Sequence, residues 1–190
     1  MDLPIVYIEK EPFLEMILAS VETFKRECFG YVFGYKPSNK RNSYIITSVM
    51  PIQLIKKRGN GLIEQSKLSA RNIVGCIDKY PVLFPVIGDF HSHPEWGSHK
   101  RIPRLSDGDI ADMVKNGCSL GVVIKISSIN KERILWQRGH DGGIKGSLAN
   151  YKFHLNVCRV VEGAEGFLDE CLTVNAPAAI KAMNRALGYF

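Results

Sequence analysis

No stretch of this chain approaches the roughly 18 uninterrupted apolar residues that a membrane-spanning helix needs, so a helical membrane protein is excluded. The start, Met1-Asp2-Leu3-Pro4, lacks the basic region and apolar core of a secretory signal. No two of the five cysteines, Cys28, Cys76, Cys118, Cys158 and Cys171, stand in a Cys-x-x-Cys spacing, and they read as reduced core residues. Internal repeats and low-complexity linkers are also missing. These absences predict a cytoplasmic protein with no membrane partner.

The charge balance is basic, +6, yet it lacks the pattern of a nucleic-acid platform. Lys36, Lys40, Arg41, Lys56, Lys57 and Arg58 fall mostly in turns and are not interleaved with aromatic residues, so they predict a solvated surface rather than nucleic-acid binding. Lys100, Arg101 and Arg104 differ, because they cluster in one loop where they could meet an acidic partner. With 190 residues, 45% of them hydrophobic and 23% charged, the chain is long enough for one well-buried core and short for two.

Apolar spacing over residues 12–26 predicts an amphipathic helix with Pro12 in its first turn, followed by strands over Cys28–Tyr35 and Ser43–Met50. Gly30 and Gly34 in the first of these predict close approach of another backbone. A second helix is expected over Leu62–Asp78, and a buried strand over Val86–His91 that Pro94 stops. Ser106 should open a short helix closed by Asn116-Gly117, and Leu120–Ile126 should be a strand with Arg133–Gln137 as its antiparallel neighbour. Beyond these, Gly139–Gly146 reads as a loop or a ragged hairpin, Tyr151–Val161 as a strand and Pro177–Leu187 as a helix. The expected fold is α/β: a mixed, largely antiparallel sheet sandwiched by helices, with residues 1–138 as the core and 139–190 as a C-terminal extension packing on it.

One stretch stands apart. In Val86-Ile87-Gly88-Asp89-Phe90-His91-Ser92-His93-Pro94, the two imidazoles are two residues apart and so face the same side of an extended strand. Two histidines make half a metal site, and a catalytic zinc site takes three protein ligands and leaves a fourth position open. Asp109, in Ser106-Asp107-Gly108-Asp109, is the best third ligand, with Asp107 as the alternative. Each part also has a plain structural explanation: surface histidines on an edge strand, and a helix capping box at Ser106-x-x-Asp109. His99 lies in the intervening loop; Asp89 shares a face with His91 and could orient its ring.

These segments resemble the metal-binding signature of the JAMM (MPN+) metalloproteases, Glu…His-Ser/Thr-His-Pro…Ser-x-x-Asp. The family's upstream Glu-x-x-Gly-x-x-x-Gly is matched by Glu27-Cys28-Phe29-Gly30-Tyr31-Val32-Phe33-Gly34. The loop between His93 and Ser106 is longer than the family's usual seven residues, a cheap change because closure entropy grows slowly with length. The resemblance implies an MPN/JAMM, cytidine-deaminase-like fold and a zinc ion (Zn2+) held by His91, His93 and Asp109. It further implies Glu27 as general base and acid for the zinc-bound water, and Ser106 as a donor to the reaction's oxyanion. The implied activity is cleavage of peptide or isopeptide bonds after the C-terminal tail of ubiquitin or a ubiquitin-like protein. A non-catalytic MPN scaffold and a RadC-like nucleic-acid-associated protein are the alternatives.

Overall fold

The computed structural model describes residues 3–58, 63–98, 100–130 and 132–189. The loop histidine His99 and Leu62 lie outside them; the rest of the helix expected over Leu62–Asp78 begins only at Lys67, because Ile63–Gln65 pairs as a strand with Ile55–Arg58. The chain runs β1 (Ile5–Ile8), α1 (Lys10–Glu22), β2 (Phe29–Tyr35), β3 (Ser43–Pro51), β4 (Ile55–Arg58), β5 (Ile63–Gln65), α2 (Lys67–Lys79) and β6 (Val86–Glu95). It continues through α3 (Asp107–Asn116), β7 (Leu120–Ser128), β8 (Gln137–Arg138), β9 (Ile144–Leu148), β10 (Tyr151–Gly163), β11 (Gly166–Leu172), β12 (Val174–Asn175) and α4 (Pro177–Ala186).

The main sheet follows the order β12-β1-β3-β2-β6-β7-β10-β9-β8, with β11 paired to β10. Pairing is parallel at β1/β12, β1/β3 and β6/β7, and antiparallel elsewhere in this sheet. The long strand β10 causes the sheet to curl. Along one edge it pairs first with β9, through Tyr151 to Leu155, and then with β11, through Val157 to Gly163. After Thr173, β11 passes into β12, which pairs with β1, and Val6 N donates to Thr173 O at 2.9 Å. Val174 N also donates to Gly142 O in the β8–β9 turn, at 2.9 Å. The two ends of the sheet therefore meet.

This corrects the expected architecture. The sheet is a nearly closed, barrel-like mixed sheet with four helices, not a slab sandwiched by helices in the MPN/JAMM, cytidine-deaminase-like manner. Of the two helices expected to flank it, only α1 does so. It buries Pro12, Phe13, Met16, Ile17, Ala19 and Ser20, at helical spacing, in the main core with Phe90, Val122, Ile124 and Trp136. Helix α2 buries only Ser69 and leaves Leu68 and Val74 exposed.

Three local expectations also change. Strand β6 runs through Pro94 to Glu95: pairing with β2 ends at His91, so this part has a strand neighbour on one side only, where proline is tolerated. The neighbour of β7 is β10, not Arg133–Gln137, of which only Gln137 enters a strand. The glycine-rich segment is the turn of a hairpin between β8 and β9, one of its two expected forms, with β9 beginning at Ile144. Cys158 and Cys171 form a disulfide across β10 and β11, in contrast to the expected reduced thiols.

Glycines 30 and 34 lie where backbones crowd. A Cβ on Gly30 would enter the Phe90 ring, and one on Gly34 would strike the Ile45 carbonyl, at φ +155°. Among the described residues no helix is long and apolar enough to cross a membrane.

Candidate metal centre

The β6–α3–β7 crossover builds the site. A parallel pair needs such a connection, and it returns the start of α3 to the carboxyl end of β6. Along β6, Phe90 points into the α1 core, so His91 and His93 point to the opposite face, where α3 packs Met113 over Val123 and Cys158. Both imidazoles are buried, at 6% and 5% exposure.

Ser106 caps α3 in a full capping box. Its hydroxyl accepts from Asp109 N, and the Asp109 carboxylate accepts in return from Ser106 N. Asp109 Oδ2 receives both Ser106 N and Ser106 Oγ at 2.7 Å, and lies 3.4 Å from His91 Nε2 and 3.8 Å from His93 Nε2. The two Nε2 atoms are 3.1 Å apart. His93 Nδ1 lies 2.9 Å from the Ile102 carbonyl, which fixes that nitrogen as the donor and leaves Nε2 with a free lone pair. Asp89 Oδ1 stands 3.9 Å from His91 Nδ1.

This donor set fits a zinc ion. Zinc bonds of about 2.0–2.2 Å to nitrogen and oxygen put neighbouring ligand atoms of a tetrahedron roughly 3.3–3.5 Å apart, and the three separations here bracket that edge. His91, His93 and Asp109 form one cluster with ligand atoms within 4.8 Å of one another. Asp107, in the same helix turn, is exposed and outside that cluster.

Without a metal the charges share a proton. Burial pulls the His91 imidazole down, but the Asp109 and Asp89 carboxylates outweigh it and lift it to about 10. Burial, reinforced by the charge on His91, drops His93 to about 4. For Asp109 burial works upward, yet the hydrogen bond and charge of His91 hold its carboxyl well below the usual range. A protonated imidazole between a neutral one and a carboxylate is the arrangement a cation would replace.

The segment that follows Glu27 is held along β6. Phe29 pairs with His91, Ser92 N donates to Cys28 O at 3.2 Å, and Cys28 N donates to Ser92 Oγ at 2.9 Å. Cys28 packs into the α1 core, and Glu27, next to it in the chain, is 7% exposed.

Sequence reasoning missed the tethers of the intervening loop. Beyond Ile102, Asn156 Nδ2 donates to Pro103 O at 2.9 Å, and the Arg104 guanidinium grips Asp169 with bonds of 2.9 and 2.8 Å to the two carboxylate oxygens. These partners lie on β10 and β11, too distant in the chain for any local pattern to announce them. The disulfide did leave a signal. Cys158 and Cys171 are equidistant from the Gly163–Gly166 turn, and a regular hairpin there sets them opposite each other.

No family model matches the chain. No curated protein matches it either. Among solved structures, the chain is similar to the solution structure of a protein from Desulfitobacterium hafniense, a structural-genomics target. The TM-score is 0.47 and the identity 14%, over 90% of this chain and 93% of that one.

Proposed function

We propose that the chain is a zinc-dependent hydrolase of peptide or isopeptide bonds, its substrate the extended C-terminal tail of ubiquitin or a ubiquitin-like protein. One observation carries the hydrolytic reading: three metal-donor atoms lie within 4.8 Å of one another, on His91, His93 and Asp109. The substrate class rests on the motif residues alone.

A zinc ion held by His91, His93 and Asp109 supplies Lewis acidity, lowering the pKa of water toward ~7 and polarising a carbonyl. The remaining chemistry belongs to the chain. Glu27 accepts the proton released by the attacking water and returns it to the departing amine, a role that suits a carboxylate buried beside an apolar strand. Ser106 directs its hydroxyl at Asp109 Oδ2, so in this geometry it is a positioning residue, and the carboxylate it holds keeps its place for the ion. Ile102 does the same for His93 through its carbonyl.

The test pairs metal analysis with turnover. Zinc-replete protein should hold one zinc per chain and cleave ubiquitin-like proteins carrying C-terminal extensions or lysine conjugates. A chelator should abolish this. Glu27→Ala should keep its zinc while turnover falls by roughly 10²–10⁴-fold. Absence of zinc overturns the reading, as does undiminished cleavage by Glu27→Ala. Failure of the whole substrate panel by zinc-loaded protein overturns the substrate class.

A further inference from the structure

One cavity away from the metal-donor cluster stands out by the cations that line it. It holds about 480 Å³ and opens where the two ends of the sheet meet, between β8, β12 and α4. Val174, Pro177 and Ile180 supply an apolar floor, and Arg138, Lys181 and Arg185 stand around it. Lys181 and Arg185, four residues apart, share one face of α4, while Arg138 arrives from β8. Among the described residues, none of these three cations has an ion-pair partner.

The wall is rigid. Asn184 Oδ1 accepts from Trp136 N at 2.8 Å and Asn184 Nδ2 donates to Trp136 O at 2.9 Å, tying α4 to the segment that leads into β8. Trp136 is itself held by its ring nitrogen on Ser147 O at 2.7 Å, stacked on Phe153. The start of α4 also lies in the cavity. Its cap residue Ala176 provides no side-chain acceptor, and Asn175 and Pro177 on either side of it line the cavity.

We propose that this seam cavity binds a small phosphate ester carried on a compact apolar or flat body, the class to which nucleoside monophosphates belong. The volume is that of a pocket for one small molecule. Three cations and a helix N-terminus match a dianion better than a single carboxylate, and two guanidinium groups can hold phosphate oxygens in pairs. The floor shelters the body of the ester, which separates such a ligand from a bare ion. None of the residues involved belongs to the metal cluster, so the proposal stands independently of the hydrolytic reading.

The experiment is calorimetric titration of the full chain with AMP and GMP, alongside adenosine and inorganic phosphate. One nucleotide should bind per chain, weakening as salt rises. Adenosine and inorganic phosphate should each bind at least about tenfold more weakly. R138A/R185A should lose about tenfold or more, a loss reproduced in part by K181Q alone, with circular dichroism unchanged. The proposal is overturned if neither nucleotide binds, if the double variant binds as the wild type does, or if inorganic phosphate binds as tightly as AMP.

Discussion

Ser106→Ala separates the capping of a helix from the holding of a metal ligand. The hydroxyl caps α3 and also donates to Asp109 Oδ2 at 2.7 Å, while the backbone donor Ser106 N stays in place. Without metal, loss of the cap costs about 1 kcal/mol. With metal, the loosened carboxylate weakens zinc binding 10- to 100-fold, the usual effect of removing a group that orients a ligand. At a free zinc concentration ~100 times the wild-type Kd, the ion stabilises the wild type by about 2.7 kcal/mol; a 100-fold weaker site gains only about 0.4. The variant should therefore lie about 1 kcal/mol below wild type in chelator, and about 2–3 kcal/mol below it in buffered zinc. Urea unfolding in the two buffers reads both numbers. An equal deficit in both would refute the idea that the hydroxyl positions the metal ligand, and a wild type indifferent to zinc would refute the metal centre.

Asn184→Ala should destabilise the chain by about 3 kcal/mol, because it strands the buried N–H and C=O of Trp136 together, each worth roughly 1–3 kcal/mol when unsatisfied; urea denaturation measures it. Burial, with the Asp89 carboxylate adding to it, pushes the Cys118 thiol up to about 11. At pH ~8 its thiolate fraction is then on the order of a hundredfold below that of a free cysteine, so timed alkylation with mass spectrometry should modify exposed Cys76 first and Cys118 far more slowly. Peptide mapping without reductant should recover Cys158 linked to Cys171, and its reduction should cost about 3 kcal/mol for a loop of this length.

The helices and strands that were legible in the sequence share a strong local period. Phe13, Met16 and Ile17 announce α1, and the capping box with its Gly117 stop announces α3. The clustering of His91, His93 and Asp109 rests on spacings that were legible for the same reason, two residues in a strand and three in a helix turn. Closure of the sheet was not legible. It depends on β10 being long enough to hold two successive partners on one edge, and nothing in Tyr151–Gly163 says which segments those partners are. Helix α2 misled through its pattern: an apolar stripe marks a face that could be buried, and Leu68 and Val74 are left in water all the same. Asn156, Asp169 and Arg104 were unreadable because each works through a partner more than fifty positions away.

Because β1 is flanked by β3 and by the late-arriving β12, the opening residues acquire their last backbone neighbour only after Val174 has been synthesised. On a ribosome, where amino-terminal parts emerge first, Ile5–Ile8 must wait as an open strand edge until β12 is made. A stalled or clipped nascent chain lacking β12 would thus offer that edge to other polypeptides, and a holding chaperone would find its natural footing there.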